Sequence, residues 1–150
     1  MLKSEYPLLE DFLYNAIYIS DGEDQPPKSI IQKPELQVYI ERFGESKDDI
    51  AMVAEVGSKV IGAVWVRVMD DYGHIDDITP SLAISLYKEY RSRGIGSALI
   101  KQMLLLLKDR GYKSVSLSVQ RENFALKMYL KSGFNILEEK DEEYIMVCQL

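Results

Sequence analysis

Two glycines and two arginines lie close together after a short apolar segment. Residues 87–98 (YKEYRSRGIGSA) place Arg91, Arg93, Gly94 and Gly96 between a predicted strand and a predicted helix. The first N–H groups of a helix have no internal acceptors, and the helix dipole puts partial positive charge there. Glycines let a phosphate approach that backbone closely, and arginines add charge-assisted donors. The segment therefore predicts a cradle for a diphosphate.

Two other phosphate-binding patterns are excluded by the neighbouring residues. Leu99 stands where a dinucleotide fingerprint needs its third glycine. A Walker loop needs Gly-Lys followed by Ser or Thr, and this tripeptide does not occur in the sequence. On the glycines alone, an ordinary strand-to-helix turn with two solvated arginines is favoured over a cradle.

Length and charge restrict the class of protein. The chain has 150 residues, of which 47% are apolar, and this length predicts one domain over residues 1–150. Its 18 basic and 24 acidic residues give a net charge of −6, which argues against nucleic acid as a partner. The single cysteine, Cys148, excludes an internal disulfide, and no Cys/His pair has zinc spacing, so we expect no metal.

The longest apolar run, residues 103–107, is too short to span a bilayer, and the start of the chain does not resemble a secretory signal. We therefore expect a cytoplasmic protein with no membrane partner.

Hydrophobic periodicity predicts an α/β fold in which a mixed sheet has helices on both faces. We expect a proline-rich loop over 20–34 and a hairpin turn at 57–59. The predicted helices cover 6–19, 34–44, 94–108 and 123–131. The predicted strands cover 50–56, 60–69, 81–87, 114–119, 134–139 and 144–150.

Two motifs together resemble the GNAT superfamily of N-acetyltransferases. Arg91-x-x-Gly94-x-Gly96 is similar to its acetyl-coenzyme A signature, and residues 123–134 (NFALKMYLKSGF) resemble its later motif N-x-A-x-x-x-Y-x-K-x-G-F. The spacing between the motifs fits one helix and one strand, and the resemblance covers residues 50–150. It implies strands 81–87 and 114–119 that splay apart, and a sheet whose first strand is short or absent.

The resemblance also implies roles for individual residues. The pantetheine arm would run beside strand 81–87, and a backbone amide near Leu86 would polarise the acetyl carbonyl. Tyr129 would donate a proton to the departing thiolate, although a helical tyrosine is also a common core residue. Asn123 would contact the pantetheine or cap its helix, and the sequence leaves both open. The pyrophosphate would lie on the turn formed by Arg91, Ser92, Arg93, Gly94, Ile95, Gly96 and Ser97.

An acceptor amine has to be neutral when it attacks a carbonyl carbon. A lysine side chain is about one part in 2,500 neutral at pH 7, which corresponds to roughly 4.6 kcal/mol. Candidate general bases are Glu55, Asp76 and Asp77, with His74 weaker, although a solvated position is favoured for each acid. Relatives that resemble residues 79–83 often carry a glutamate where this chain has Ser81.

The leading hypothesis is an N-acetyltransferase that moves an acetyl group from acetyl-coenzyme A to a primary amine of a small molecule or peptide. Direct attack in a ternary complex is favoured because Cys148 has no visible base partner. The alternative is a non-catalytic acyl-coenzyme A sensor, which needs Arg91 and the glycines but not Tyr129. The sequence leaves the acceptor, the acyl chain and a homodimer open.

Overall fold

The computed structural model describes residues 1–19 and 22–150 and builds them around one mixed sheet. The strand order is β1-β2-β3-β4-β6-β5. The strands are β1 (Ile50–Val56), β2 (Lys59–Arg67), β3 (Ser81–Leu86), β4 (Ser114–Gln120), β5 (Asn135–Glu139) and β6 (Glu143–Gln149). The α-helices are α1 (Leu9–Ala16), α2 (Pro34–Gln37), α3 (Ile95–Asp109) and α4 (Ala125–Lys131). None of these helices is long and apolar enough to cross a membrane.

Helices cover both faces of the sheet, as the periodicity predicts. On one face, α3 and α4 pack against the strands around a cluster that includes Val64, Leu99 and Phe134. On the other face, α1 and the segment 28–43 surround Phe12 and Trp65, both with no exposed surface. Each face therefore has its own apolar core, and the predicted α/β class is confirmed.

The first predicted helix, over 6–19, is shorter than its apolar pattern indicates. Residues Lys3–Leu8 form a 3₁₀ helix that contains Pro7, and the α-helix begins only at Leu9. Proline lacks the N–H that a continuing α-helix needs. Ser20 and Asp21, where we expected the helix to stop, lie outside the described residues. Within those residues no strand precedes β1, as expected of a short or absent first strand.

The predicted helix over 34–44 ends at Gln37, because side chains of β2 bind the backbone carbonyls that follow. The indole Nε1 of Trp65 donates to the Tyr39 carbonyl at 3.1 Å. Arg67 Nη1 donates to the carbonyls of Val38 and Glu41 at 3.2 and 2.8 Å. These carbonyls are the acceptors of the next helical turn, so bonds to β2 replace helical bonds. The predicted loop 20–34 also contains a short 3₁₀ helix, Lys28–Gln32.

Arg67 forms a bidentate ion pair that fixes this segment to the sheet. Its Nε and Nη2 each lie 3.1 Å from a carboxylate oxygen of Asp49, and the two side chains are only 11% and 1% exposed. With the two carbonyls it holds, Arg67 makes four charge-assisted hydrogen bonds inside the protein. Arg67 and Asp49 therefore form a buried ion pair.

The sheet is nearly split between β3 and β4. Among the described residues these parallel strands share one bridge, Ser81 to Ser116, where the Ser116 N–H donates to the Pro80 carbonyl at 3.0 Å. By contrast, β4 and β6 pair over seven consecutive positions. The predicted splay between these strands is confirmed, and it opens a gap along the second half of β3.

We predict that Asp49→Ala lowers the free energy of unfolding by about 3–5 kcal/mol, because it leaves the Arg67 guanidinium buried without its partner. Urea unfolding measures this change. Glu45→Ala is the matched control, since it breaks an exposed arginine–carboxylate contact with Arg42 at 4.0 Å. The control variant should lose at most about 1 kcal/mol. Equal midpoints for the two variants would contradict a stabilising role for the buried pair.

Candidate active site

A cleft of about 730 Å³ lies where β3 and β4 diverge. Side chains from α1, both strands and the segment before β1 form its walls. Its lining includes Leu13, Tyr39, Ile84, Ser118, Asn123 and Tyr129. The hairpin tip 140–143 closes one side of the cleft. This cleft is the natural place for a thin extended ligand and a second small molecule to meet.

The edge of β3 presents main-chain groups to this gap. The Tyr87 N–H donates to the Ile61 carbonyl of the neighbouring strand at 3.0 Å, and Leu86 stands opposite Gly62. In an antiparallel pair the N–H and C=O groups of successive residues alternate between the two edges. The N–H and C=O groups of Ile84 and the N–H of Leu86 therefore point away from β2 and into the gap, where an extended ligand can pair with them. The Leu86 carbonyl points the same way but accepts a hydrogen bond from Arg91.

The glycine-rich turn follows β3 and leads into α3. Gly94 is the N-cap of α3 with φ of 82°, and Ser92 also has a positive φ, 63°. A side chain at Gly94 would meet no atom within 4 Å, so glycine is needed there for its conformation and not for space. Left-handed residues at a helix N-terminus are a feature of backbone N–H sites that bind anions. Ile95 is half-buried and Ser97 is exposed.

Arg91 connects the turn to both neighbouring elements. Its Nε donates to the Leu86 carbonyl at 3.1 Å, and its Nη2 donates to the Asn15 carbonyl at 3.0 Å. The guanidinium of Arg93 instead lies over the Tyr90 ring, 5.7 Å from its centroid. Both arginine side chains are exposed. Arg91 therefore positions the turn against β3 and α1, while Arg93 lies at the surface beside it.

Gly96 has a packing role that the sequence did not indicate. It is buried in the first turn of α3, and a Cβ placed there would lie 3.1 Å from Met128 Sδ and 3.7 Å from Leu86 Cδ1. A close approach of α3 to α4 thus needs the small residue. The backbone of Gly96 still belongs to the helix N-terminus.

Tyr129 and Asn123 lie together on the cleft wall. Tyr129 is 9% exposed and packs edge-on against Phe134, with ring centroids 6.0 Å apart. Burial raises the pKa of Tyr129 to about 12, so its hydroxyl keeps its proton at neutral pH. Asn123 Oδ1 accepts a hydrogen bond from the Ala125 N–H at 2.9 Å, at the start of α4. The capping alternative for Asn123 is therefore realised, and the residue also borders the cleft.

None of the four base candidates from the sequence is among the cleft-lining residues in the described part of the chain. Glu55 and Asp77 are exposed. Asp76 accepts hydrogen bonds from the N–H groups of Ile78 and Thr79, and these bonds lower its pKa, which makes it a weaker base. His74 contacts the Met69 carbonyl through Nδ1 at 2.8 Å.

Asp71 is a half-buried carboxyl group that the sequence does not single out. Asp71, in the connection between β2 and β3, accepts a hydrogen bond from the buried Ser81 hydroxyl at 2.8 Å. Burial is the main cause that raises the pKa of Asp71. The connection holds four aspartates, and nothing in their local sequence separates Asp71 from the others. Only the fold, which brings the loop against β3, makes the distinction.

The side of the cleft that the hairpin tip forms is acidic. The hairpin tip contributes Asp141, Glu142 and Glu143 to its lining, against one basic side chain, Lys140. Burial, together with the charge of Asp71, raises the pKa of Glu143. The charges in this part of the cleft therefore favour a cation.

A sheet that is split beside a glycine-rich helix N-terminus defines the class of acyltransferases that resemble GNAT proteins, and comparisons with known proteins agree. The sequence profile of the Acetyltransferase (GNAT) family matches residues 14–134. The Bacillus subtilis (strain 168) protein named "Uncharacterized N-acetyltransferase YjcF" is 31% identical over 132 residues, which are 88% of this chain and 84% of that protein. The chain belongs to the GNAT family of acetyltransferases.

Solved structures show the same fold at lower sequence identity. The PaiA N-acetyltransferase from Thermoplasma acidophilum, in complex with coenzyme A, is 20% identical with a TM-score of 0.72, and the match covers 98% of this chain and 94% of that one. The ribosomal-protein-S18-alanine N-acetyltransferase from Escherichia coli is 15% identical with a TM-score of 0.67, over 99% and 90% of the two chains. These likenesses support the fold.

We predict that Asp71→Asn flattens the dependence of stability on pH. Because burial raises the pKa of Asp71 in the folded state, the folded chain binds more protons there than the unfolded chain. The free energy of unfolding of the wild type should therefore fall as pH rises from about 4, the unfolded pKa, through the folded pKa. Urea unfolding at several pH values from 4 to 7 measures it.

The exposed neighbour provides the control for this measurement. Asp70→Asn removes the same charge from a solvated position and should keep the pH dependence of the wild type. Parallel curves for the wild type and Asp71→Asn would show that the Asp71 carboxyl titrates alike in the folded and unfolded chains.

Proposed function

We propose that this chain, as one domain over residues 1–150, transfers an acetyl group from acetyl-coenzyme A to a primary amine. The amine attacks the thioester carbon directly while both substrates are bound. One observation carries the proposal: the open edge of β3 borders a cleft, and the helix N-terminal turn begins where that edge ends. A ligand with an extended amide arm and a diphosphate matches both features.

The turn supplies the contacts for the diphosphate. The backbone amides of residues 92–97, at the N-terminus of α3, would donate to phosphate oxygens, and Arg93 would add charge from the surface. The ordering of this turn by Arg91, through the Leu86 and Asn15 carbonyls, supports a preformed site. Preformed N–H donors bind an anion without the cost of arranging them first.

The edge of β3 holds the arm and activates the carbonyl. The main-chain groups of Ile84 and the N–H of Leu86 would pair with the pantetheine amides as a neighbouring strand does. The Leu86 N–H is the donor expected to polarise the thioester carbonyl, since it is close to the turn and faces the gap.

Tyr129 is the residue proposed to stabilise the leaving group. A thiolate of coenzyme A, with a conjugate-acid pKa near 8.5, is a weaker base than a phenolate whose pKa is about 12. The phenol therefore acts mainly by donating a hydrogen bond to the sulfur as negative charge develops there.

The acidic side of the cleft favours an acceptor amine that arrives in its protonated form. Carboxylates from Asp141, Glu142 and Glu143 attract a protonated amine and favour it over an anionic acceptor. A small molecule or peptide as the source of the amine and a cytoplasmic location stay predictions from the sequence, which leaves a homodimer open.

We predict that acetyl-coenzyme A and free coenzyme A raise the melting temperature of the wild type, while NADP does not. A ligand at 100 times its Kd adds about 2.7 kcal/mol, or roughly 5–10 °C for a chain of this size. Gly94→Glu should abolish the shift, because it places a carboxylate beside the phosphate site. Differential scanning fluorimetry measures the shift.

Gly57→Glu is the matched control. Gly57 also has a positive φ, 63°, and open space around its Cβ, but it lies in the turn between β1 and β2. The control variant should bear the same backbone strain and keep the shift. A wild type whose melting temperature no coenzyme A species changes would refute the proposed cradle.

We predict that Tyr129→Phe lowers kcat roughly 100-fold, the usual effect of removing one donor to a developing anion. The KM for acetyl-coenzyme A should stay the same, since the ring still fills its place against Phe134. Release of coenzyme A thiol, followed at saturating amine, measures both constants. An unchanged kcat would remove Tyr129 from the mechanism, and a wild type that binds acetyl-coenzyme A without acetylating any amine would indicate the sensor.

A further inference from the structure

One guanidinium group, that of Arg91, joins α1 to the end of β3. Its Nη2 donates to the Asn15 carbonyl of α1 at 3.0 Å, and its Nε donates to the Leu86 carbonyl of β3 at 3.1 Å. A guanidinium is planar and rigid, so its donors keep a fixed geometry relative to one another. The two main-chain segments are therefore fixed against each other by one planar group.

The carbonyl that Arg91 holds on α1 belongs to a wall of the cleft. The last carbonyls of an α-helix have no partner within the helix, and a cation near them is favourable. The last turn of α1, residues 13–16, has no basic residue of its own, so Arg91 supplies the cation. Leu13, Ala16 and Ile17, at this end of the helix, line the cleft. A shift of the helix end would thus change the shape of the cleft.

The carbonyl that Arg91 holds on β3 lies next to the group expected to activate the thioester. The Leu86 carbonyl and the Tyr87 N–H belong to one peptide group, whose N–H donates to the Ile61 carbonyl at 3.0 Å. This peptide group is therefore fixed on both sides. The Leu86 N–H, immediately before it, is the donor that the proposed transfer assigns to the thioester carbonyl.

The acceptor and the pantetheine arm use different sides of the cleft. In the proposed transfer the arm pairs with the free edge of β3, along the gap to β4. The walls on the other sides include the end of α1 and the hairpin tip 140–143. An amine that approaches the thioester from the cleft therefore lies against α1.

We propose that Arg91 is a positioning residue for the acceptor amine. It fixes the α1 wall at the distance from β3 that brings the amine to the thioester carbon. The inference rests on the proposed acetyl transfer and adds a role that binding of the diphosphate does not require, because backbone amides of the turn serve the phosphate oxygens. A misplacement of about 1 Å can slow a reaction about 100-fold.

Other contacts keep α1 on the sheet when Arg91 is changed. The ring of Phe12, a buried residue of α1, packs against Tyr87 with centroids 5.1 Å apart. The Tyr18 hydroxyl, just after the helix, donates to the Glu122 carbonyl at 3.3 Å. A variant of Arg91 should therefore fold, with the end of α1 shifted and not released.

Arg91→Lys is the variant that tests this role in the full chain. Lysine keeps the positive charge beside the diphosphate but lacks the planar fork that reaches two carbonyls. The Kd for coenzyme A, measured by isothermal titration calorimetry, should change less than about threefold. The amine probes are lysinamide, n-propylamine and a lysine-containing tripeptide amide, with release of coenzyme A thiol as the readout.

The loss in kcat/KM for the amine should grow with the size of the acceptor. We expect a fall of roughly 30-fold for the tripeptide amide and of less than about threefold for n-propylamine, which makes fewer contacts with the α1 wall. Lysinamide should lie between them. A variant that merely destabilised the fold would slow all three amines by the same factor.

Arg93→Lys is the matched control, because it makes the same exchange in the same turn. The Arg93 guanidinium lies over the Tyr90 ring, 5.7 Å from its centroid. The control variant should keep the Kd for coenzyme A and kcat/KM for all three amines. A loss in this variant equal to that of Arg91→Lys would overturn the proposed role.

The outcomes separate this role from the reaction on which it rests. If the wild type acetylates amines and Arg91→Lys slows all three equally or not at all, Arg91 does not position the acceptor and acetyl transfer stands. A Kd for coenzyme A that rises as far as the tripeptide constant falls would assign Arg91 to the diphosphate and also refute the inference. If the wild type releases no coenzyme A with any of the three amines, the proposed function is overturned, and the inference with it.

Discussion

The single bridge between β3 and β4 is the constraint on which the site depends. Because Ser81 and Ser116 hold the strands together at one end only, β3 keeps a free main-chain edge toward α3, and side chains from both strands face a common cleft. A fully paired sheet would fill that edge with hydrogen bonds. Ser81, the bridge residue, also donates to Asp71, so the point where pairing stops is also where a half-buried carboxyl group is held.

A second constraint acts from the sheet on the opposite face. Trp65 and Arg67 take three carbonyls of the segment after α2 and thereby stop a helix that the local sequence favours. These hydrogen bonds override the helical propensity of the local sequence. As a result, the Tyr39 side chain lines the cleft. Asp49 neutralises the charge of Arg67, and both side chains are almost fully buried. Stability and the placement of a cleft residue therefore depend on one buried cation.

The sequence predicts the strands, their order along the chain and the glycine-rich turn before α3 because those features are local. Alternation identifies the strands, and Gly94 and Gly111, both with positive φ, stand at the two ends of α3, where the pattern places them. The length of α2 and the role of Gly96 are not predictable in this way, because they depend on contacts with β2 and Met128 from distant parts of the chain. Asp71 is not predictable for the same reason, because only the fold decides which of the four aspartates between β2 and β3 is half-buried.

The free edge of β3 has a consequence for the behaviour of the protein in a crowded solution. An unpaired strand edge is a template on which other chains add strands and begin to aggregate. Here the edge lies at the bottom of a cleft between α1 and the hairpin tip, and not at the rim of the sheet. The flanking elements therefore shield this strand from pairing with another chain, while its main-chain groups stay open to the cleft.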